Sequence, residues 1–313
     1  SSPGSLTLIT EPKDGVAPFL PAIKHARHRI DLVMYENQGK RIDAALAAAD
    51  RRGVQVRVLL GNAYDGEPSQ YGMPPRSENQ AAYSYFKAHK VPVRWSPKYF
   101  ALTHQKTLVV DGRAYILTLN FTPKYYATSR DFGVVDTIPA DDRAVEKTFD
   151  ADWKGRRIKA PHGADLVWSP GSQPALVKLI NSAHGWLDIY NEEMDSTAIE
   201  GALERASRRG VDVRVTMTAQ STWVSAFTQL TAAGVHVHLY ASNASLYIHA
   251  KMILAPTRVF LGSENFSYGS MNRNRELGLI ITAKAIRTAL RRTFDRDYAG
   301  AKPFAAGTSA AAQ

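Results

Sequence analysis

The chain has 313 residues and no cysteine, and its 39 Lys plus Arg against 29 Asp plus Glu give a formal charge of +10. That length supports two ordinary domains or one large one, and the lack of cysteine excludes disulfides, thiolate nucleophiles and Cys-based zinc sites. No apolar run approaches the ~20 residues a membrane-spanning helix needs, and the basic balance suits anionic partners (nucleic acid, lipid surfaces, phosphorylated substrates), with a merely basic, soluble surface as an equal alternative, since charge alone does not define a site.

The chain opens Ser-Ser-Pro-Gly-Ser, with no charged-then-apolar leader. This reads as a mature secreted or periplasmic chain after signal removal, or as an engineered start. The apolar run at residues 30–34 predicts a strand. Residues 42–52 have helical periodicity, rich in Ala, Leu and Arg, and Gly53 stops them. The β-branched run at 54–60 predicts a second strand. Strand, helix, strand in succession implies parallel pairing through a right-handed crossover. Arg51 and Arg52 are expected at the helix end, complementing its dipole. Residues 61–90 are rich in Gly, Pro, Ser and Tyr. His104 then precedes another β-prone run, 107–110.

From residue 180 the same order returns. Residues 23–58 and 180–215 align at a constant offset of 157 (180 − 23, 210 − 53), and RRGVQVRV matches RRGVDVRV nearly letter for letter. Strands at 187–190, 211–217 and 252–254 and a helix at 199–209 follow. Duplication at about half the chain length argues for two similar halves and not a solenoid. The fold class is α/β, with mixed or mostly parallel sheets. The boundary falls near 161–165, giving halves of 1–163 and 164–304 and a small polar tail, 305–313, predicted to be disordered.

The late part of the repeat carries the chemistry. His104, Lys106, Asn120 and Asp131 recur as His249, Lys251, Asn265 and Glu276; 249 − 104 and 276 − 131 both give 145. The first half therefore holds twelve extra residues, within 61–90, where the entrance and its specificity are expected. On a strand, residues i and i+2 share a face, so each His points with its Lys. Two imidazoles, two ammonium groups, two amides and two carboxylates suit displacement at a phosphodiester. The plain alternative is that they record duplication alone, but charged groups on a buried face are costly unless paired or employed.

HQKTLVVD (104–111) and GSEN (262–265) resemble the phospholipase D superfamily, whose pattern is H-x-K-x4-D followed by a G-S-x-N-like segment. HAKMILAP (249–256) departs at Pro256, where Asp is expected, and LTLN (117–120) lacks the Gly and Ser. The resemblance covers both halves. It implies two α/β/α units about a pseudo-two-fold axis with one active site between them. It also implies a covalent phosphohistidine: one histidine attacks phosphorus while the other protonates the leaving alkoxide, then activates water or an alcohol. His104 is taken as nucleophile and His249 as acid/base, although the pseudo-symmetry leaves the reverse open. Lys106, Lys251, Asn120 and Asn265 would hold the non-bridging oxygens. Thr118 and Ser263 would add hydroxyl donors, and Asp131 and Glu276 would accept from the far ring nitrogens. No metal or other cofactor is implied. The motif Asp is expected to be structural, and Leu117 to narrow the room near the phosphate.

Glu36 and Glu193, equivalent at offset 157, are expected to line the site floor or cap strand ends. His236 and His238 share a strand face, so a metal site is conceivable, though surface decoration is the plainer reading. Two substrate classes compete. Phospholipid is favoured by a complete double motif on one chain, expected to act as a monomer. It is also favoured by apolar loop residues that could meet a membrane: Tyr64, Tyr71, Met73, Tyr125, Tyr126, Trp223, Phe227, Tyr268 and Met271. Single-stranded nucleic acid is the alternative, through charge and base stacking. A non-catalytic anion-binding module is the third reading.

Overall fold

The computed structural model describes residues 4–62 and 78–306. Tyr64, Tyr71, Met73, most of the twelve-residue excess and the tail from 307 lie outside the described residues.

The first half contributes strands β1 (Leu6–Glu11), β2 (Arg29–Met34), β3 (Gln55–Leu60), β4 (Val93–Trp95), β5 (Lys106–Val110), β6 (Arg113–Leu117) and β7 (Ser129–Asp136). Its helices are α1 (Leu20–Lys24), α2 (Lys40–Arg51), α3 (Gln80–Ala88), α4 (Pro123–Ala127) and α5 (Pro139–Trp153). The second half contributes β8 (Leu166–Ser169), β9 (Trp186–Tyr190), β10 (Met194–Asp195), β11 (Asp212–Thr218), β12 (His236–Tyr240), β13 (Tyr247–Ile248), β14 (Lys251–Leu254), β15 (Val259–Gly262), β16 (Phe266–Ser267), β17 (Glu276–Ile281) and β18 (Lys302–Pro303). Its helices are α6 (Gln173–Asn181), α7 (Thr197–Arg208), α8 (Val224–Ala232), α9 (Tyr268–Asn272) and α10 (Lys284–Gly300).

Duplication is visible in the topology. One sheet runs β1-β7-β6-β5-β2-β3-β4, and the other runs β8-β17-β15-β14-β9-β11-β12 with β18 added at its edge. In each, the strand–helix–strand units pair in parallel, β2 with β3 and β9 with β11, as expected. β4 and β12 extend these units in parallel, whereas β5 and β14 pair antiparallel with β2 and β9, so the sheets are mixed. β5–β6 and β14–β15 are hairpins joined by short turns, for which antiparallel pairing is the only solution.

Helices α1, α2 and α3 pack on one face of the first sheet, and α6, α7 and α8 on the matching face of the second. On the opposite faces, Ile116, Phe132 and Val134 meet Met252, Leu254, Leu261 and Leu277 in a shared apolar layer. The sequence places apolar residues on both sides of β6, β7, β14 and β17, which is what a strand buried on both faces requires.

The repeat also preserves the fold's polar ties. Arg52 donates to the carbonyls of Ile23 (2.6 Å) and Ala26 (3.2 Å), and Arg209 to Ile180 (2.7 Å) and Ala183 (3.0 Å). These arginines therefore serve the C-terminal end of the preceding helix, α1 or α6, and not their own. Arg57 and Arg214 each form a two-pronged pair with a buried aspartate, Asp31 or Asp188.

The departures at the motif ends have physical reasons. Asp111 and Gly112 both have positive φ (48° and 78°), forming the tight β5–β6 hairpin turn. The Asp111 carboxylate accepts the backbone N–H of Arg27, His28 and Arg29 at 2.8–2.9 Å. It is a structural clamp. At the equivalent place Pro256 lies about 4 Å from where a Cβ on Gly185 would stand, so a ring fills the space the carboxylate takes in the other half. Leu117 does not narrow a phosphate site: it is fully buried in the first half's core and lies over Gly133.

Candidate active site at the seam between the halves

Both motif histidines stand immediately before a central strand, and each entry is pinned to the opposite half. His104 N–H donates to Arg275 O (2.9 Å), and His249 N–H to Arg130 O (3.2 Å). Those two arginines, 145 apart, cross the seam with their side chains as well. Arg275 pairs with Asp152 (2.9 and 3.1 Å) and Arg130 with Asp297 (2.7 and 3.1 Å). Planar two-pronged pairs of this kind fix orientation as well as charge.

The carboxylates behind the imidazoles are exchanged between halves. His104 Nδ1 lies 2.6 Å from Glu276 Oε1, and His249 Nδ1 lies 2.8 Å from Asp131 Oδ1. A carboxylate accepting at Nδ1 fixes the proton there and leaves Nε2 for chemistry. Each repeat's carboxylate thus serves the other repeat's histidine, which equal spacing alone could not indicate.

The lysines lie beside the rings. Lys106 Nζ is 3.1 Å from His104 Nε2, and Lys251 Nζ is 3.0 Å from His249 Nε2 and donates across the seam to Thr118 O (3.2 Å). Burial, with the nearby Lys251 charge, pushes Lys106 down to about 7, and burial lowers Lys251 as well. Two ammonium groups crowded into a low-dielectric cleft are unfavourable unless an anion joins them. Carboxylates of both halves, Glu192, Glu276 and Asp131, offset part of that charge.

Burial lowers both histidines, His249 further than His104. The two carboxylates differ. Glu276 stays below its ordinary value despite burial, because His104, Lys106 and Ser270 favour its charge. Its other oxygen accepts from Ser270 Oγ and Asn274 Nδ2. Burial pushes Asp131 up to about 8 in spite of Lys251. Thr118 and His249 share its Oδ1, and Oδ2 is buried with no partner among the described residues.

Asn120 and Asn265 are both buried close to the seam. Asn120 Oδ1 accepts from the Glu36 N–H (3.2 Å), and Asn265 Oδ1 has no partner among the described residues. The hydroxyl expectation is corrected. Thr118 Oγ1 donates to Asp131 (2.7 Å) and accepts from Phe132 N–H, while Ser263 Oγ exchanges hydrogen bonds with the Leu277 backbone. Strand pairing aims both at the sheet, so they brace the site instead of facing substrate. Glu36 accepts from Tyr125 (3.3 Å), whose ring lies 4.4 Å from His249. Burial pushes Glu193 up to about 7, Glu192 and Glu276 adding to the effect. His236 is exposed beside Asp212, and His238 stacks on Tyr298, so the two take separate surface partners.

Two acids escaped the sequence reading. Glu192 Oε2 accepts from Tyr247 OH (2.6 Å) and stands 3.5 Å from His249 Nε2. Glu264 is fully buried, with neither carboxylate oxygen partnered among the described residues, and burial raises it well above its ordinary range. It occupies space beside Gly262 that a side chain there would take. Their repeat equivalents are Tyr35 and Leu119, so comparison of the halves passes over them.

The sequence profile described as "Cardiolipin synthase, PLD-like domain" matches residues 19–153 and 176–298. The chain belongs to the phospholipase D-like family. Among phospholipase D-like relatives, cardiolipin synthase A of Shigella flexneri is 27% identical over 341 residues, covering 94% of this chain and 68% of that protein. Cardiolipin synthase A of Yersinia pestis bv. Antiqua (strain Angola) is 26% identical, covering 88% and 65%. The chain thus spans about two thirds of the length of these curated relatives. Among solved structures, phosphatidylserine synthase from Haemophilus influenzae superposes with a TM-score of 0.70 at 10% identity, over 96% of this chain and 87% of that one. Polyphosphate kinase from Porphyromonas gingivalis gives 0.68 at 14%, over 93% and 46%. At such identities the likeness is one of fold, and it extends over both halves.

Proposed function

We propose that this chain is a phospholipase D-type enzyme that cleaves the headgroup-side P–O bond of a phospholipid and passes the phosphatidyl group to water or an alcohol. One observation carries the reading. Two buried imidazoles, each held at Nδ1 by a carboxylate of the opposite half, stand with both lysines at one seam. One histidine attacks phosphorus at Nε2, forming P–N as the P–O bond breaks; the other gives its proton to the leaving oxygen. The second step reverses these transfers with water or an alcohol. The lysines and Asn120 and Asn265 hold the non-bridging oxygens, the largest single contribution in reactions of this type. A monomer suffices, because one chain supplies both histidines.

The relatives named cardiolipin synthase A favour lipid over nucleic acid and transfer over hydrolysis. Among the described residues, fewer of the expected membrane contacts are exposed than the sequence suggested. Tyr125 packs on His249, and Phe227 and Met271 are core residues. Tyr268, 60% exposed and capped by the Arg273 guanidinium, remains as a contact for an anionic lipid surface. Among the described residues no helix is long and apolar enough to cross a membrane.

The test is product analysis with phosphatidylglycerol vesicles and a single-stranded oligonucleotide in parallel, with ethanol and excess EDTA present. Phosphatidic acid, phosphatidylethanol or a transferred lipid with intact DNA is expected. Cleaved DNA beside untouched lipid would overturn the substrate assignment.

A further inference from the structure

Away from the catalytic lysines, basic and aromatic side chains gather where the linker between the halves crosses the seam. After α5 the chain runs Lys154-Gly155-Arg156-Arg157-Ile158-Lys159 before reaching His162 and β8, and every cation in that run is exposed. The linker forms one wall of a cavity of about 360 Å³, a volume within the range of small-molecule sites. Arg157, Lys159 and His162 lie along that wall. Tyr99 and Phe100 come from the loop before His104, and Trp168 and Arg275 from the second half. Among the described residues no acidic side chain lines it.

The lining suits an anion with an apolar body. Arg275 is already engaged, by Asp152 (2.9 and 3.1 Å) and by Ser169 O (3.2 Å), whereas Arg157 and Lys159 take part in no ion pair among the described residues. The Arg157 guanidinium lies over the Tyr99 ring, 4.5 Å from its centroid, a contact that leaves its N–H groups for an oxyanion. The Tyr99 hydroxyl is buried with no partner among the described residues, and a buried O–H without an acceptor costs free energy. Opposite these groups Phe100 and Trp168 present rings, both packed on the Arg275 guanidinium (4.4 and 5.5 Å). Trp168 is fixed in addition by its Nε1, which donates to Pro161 O (2.8 Å). We infer that this cavity is a second anion site, separate from the catalytic seam, that holds a phosphate joined to an apolar chain. Arg157, Lys159 and the Tyr99 hydroxyl take the phosphate, and Phe100 and Trp168 take the chain. A lipid as the source of that phosphate rests on the phospholipid reading above; the anion site itself does not.

The cavity and the catalytic seam share a wall without sharing ligands. Ala101 N–H donates to Arg273 O (3.0 Å), Arg275 N–H to Leu102 O (2.9 Å), and His104 and Gln105 N–H both to Arg275 O (2.9 and 3.0 Å). Arg275 lines the cavity, whereas its neighbour Glu276 holds His104 Nδ1 at 2.6 Å. None of the eight repeated residues lines the cavity, so its ligand is held there without reaction. The second half has no twin of it. At offset 145 Arg157 corresponds to Lys302 (157 + 145), which opens β18 and pairs with Leu239 of β12.

The test is calorimetric titration of the full chain with dihexanoyl phosphatidic acid below its micelle concentration. This lipid is a phosphate monoester with no headgroup to lose, so binding is read without turnover. A binding event beyond that at the seam is expected. Arg157→Ala combined with Lys159→Ala, both at exposed positions, should weaken that event about tenfold, and Tyr99→Phe should do so to a similar extent, roughly tenfold. Binding unchanged in the double variant would put all of the lipid at the catalytic lysines and overturn the proposal. Inorganic phosphate should bind at least about tenfold more weakly than the lipid, the difference being the buried chain. Equal affinities would make this a free-phosphate site and overturn the apolar part of the assignment. The double variant should keep kcat/KM for a soluble p-nitrophenyl phosphodiester within about twofold. A loss there as large as the loss in lipid binding would merge the cavity with the seam and overturn its separateness. A chain that turns over no phosphodiester, yet binds the lipid through Arg157 and Lys159, would sink the functional reading and uphold the anion site.

Discussion

The two halves share their strand order, their Arg–Asp ties and their four chemical residues, but they diverge in what surrounds each histidine. The first half's histidine is backed by a carboxylate with every oxygen satisfied and is faced by a tyrosine. The second half's histidine is backed by a strained-for-partners aspartate and is faced by a glutamate. A duplicated frame can therefore give equivalent residues different surroundings, with the differences one contact away from the shared residues.

The largest effect should come from the shared residues themselves. His104→Ala and His249→Ala are each expected to lose at least about 10⁴-fold in kcat, because members of one catalytic unit fail together; near-normal rates in either would break the comparison. Next come the exchanged carboxylates. Glu276→Gln should cost on the order of 10³-fold and Asp131→Asn roughly 10²-fold, following the weaker support Asp131 gives. Equal losses would mean the halves are not distinguished at this level.

The pH dependence gives a smaller effect. Lys106, at about 7 in the free enzyme, is charged below that value and neutral above it. Binding of the anionic substrate, read as kcat/KM, should therefore decline as pH rises through about 7, approaching tenfold per unit beyond it. On stability, removing one partner of the buried Arg275–Asp152 pair, as in Asp152→Ala, should cost about 3–5 kcal/mol by denaturant titration. Asp111→Ala, which removes the clamp on residues 27–29, should cost about 1 kcal/mol by the same measurement. Pro256→Asp should change stability less, since Gly185 already fits the ring.

Much of this was legible in the sequence. The crossover units at residues 30–60 and 187–217 followed from periodicity, and the tetrads from their constant offset. What stayed hidden has a common cause. Equal spacing is unchanged whether Asp131 serves His104 or His249, so the exchange across the seam needs three dimensions. Arg130, Arg275, Asp152 and Asp297 also recur at offset 145 and could have been found by extending the comparison beyond the catalytic types. Glu192 and Glu264 could not, because a search for likeness discards positions that differ. The hydroxyls of Thr118 and Ser263 depended on sheet register, which fixes their direction and which no local pattern states.

The exchange of carboxylates also orders events during synthesis. Asp131 leaves the ribosome 118 residues before the histidine it supports, whereas His104 waits 172 residues for Glu276. Glu276 is the last of the eight repeated residues to be made. A nascent first half therefore carries His104 without the carboxylate that holds its ring. The paired arrangement of His104 and Glu276 is therefore completed only once the second half has been translated and docked.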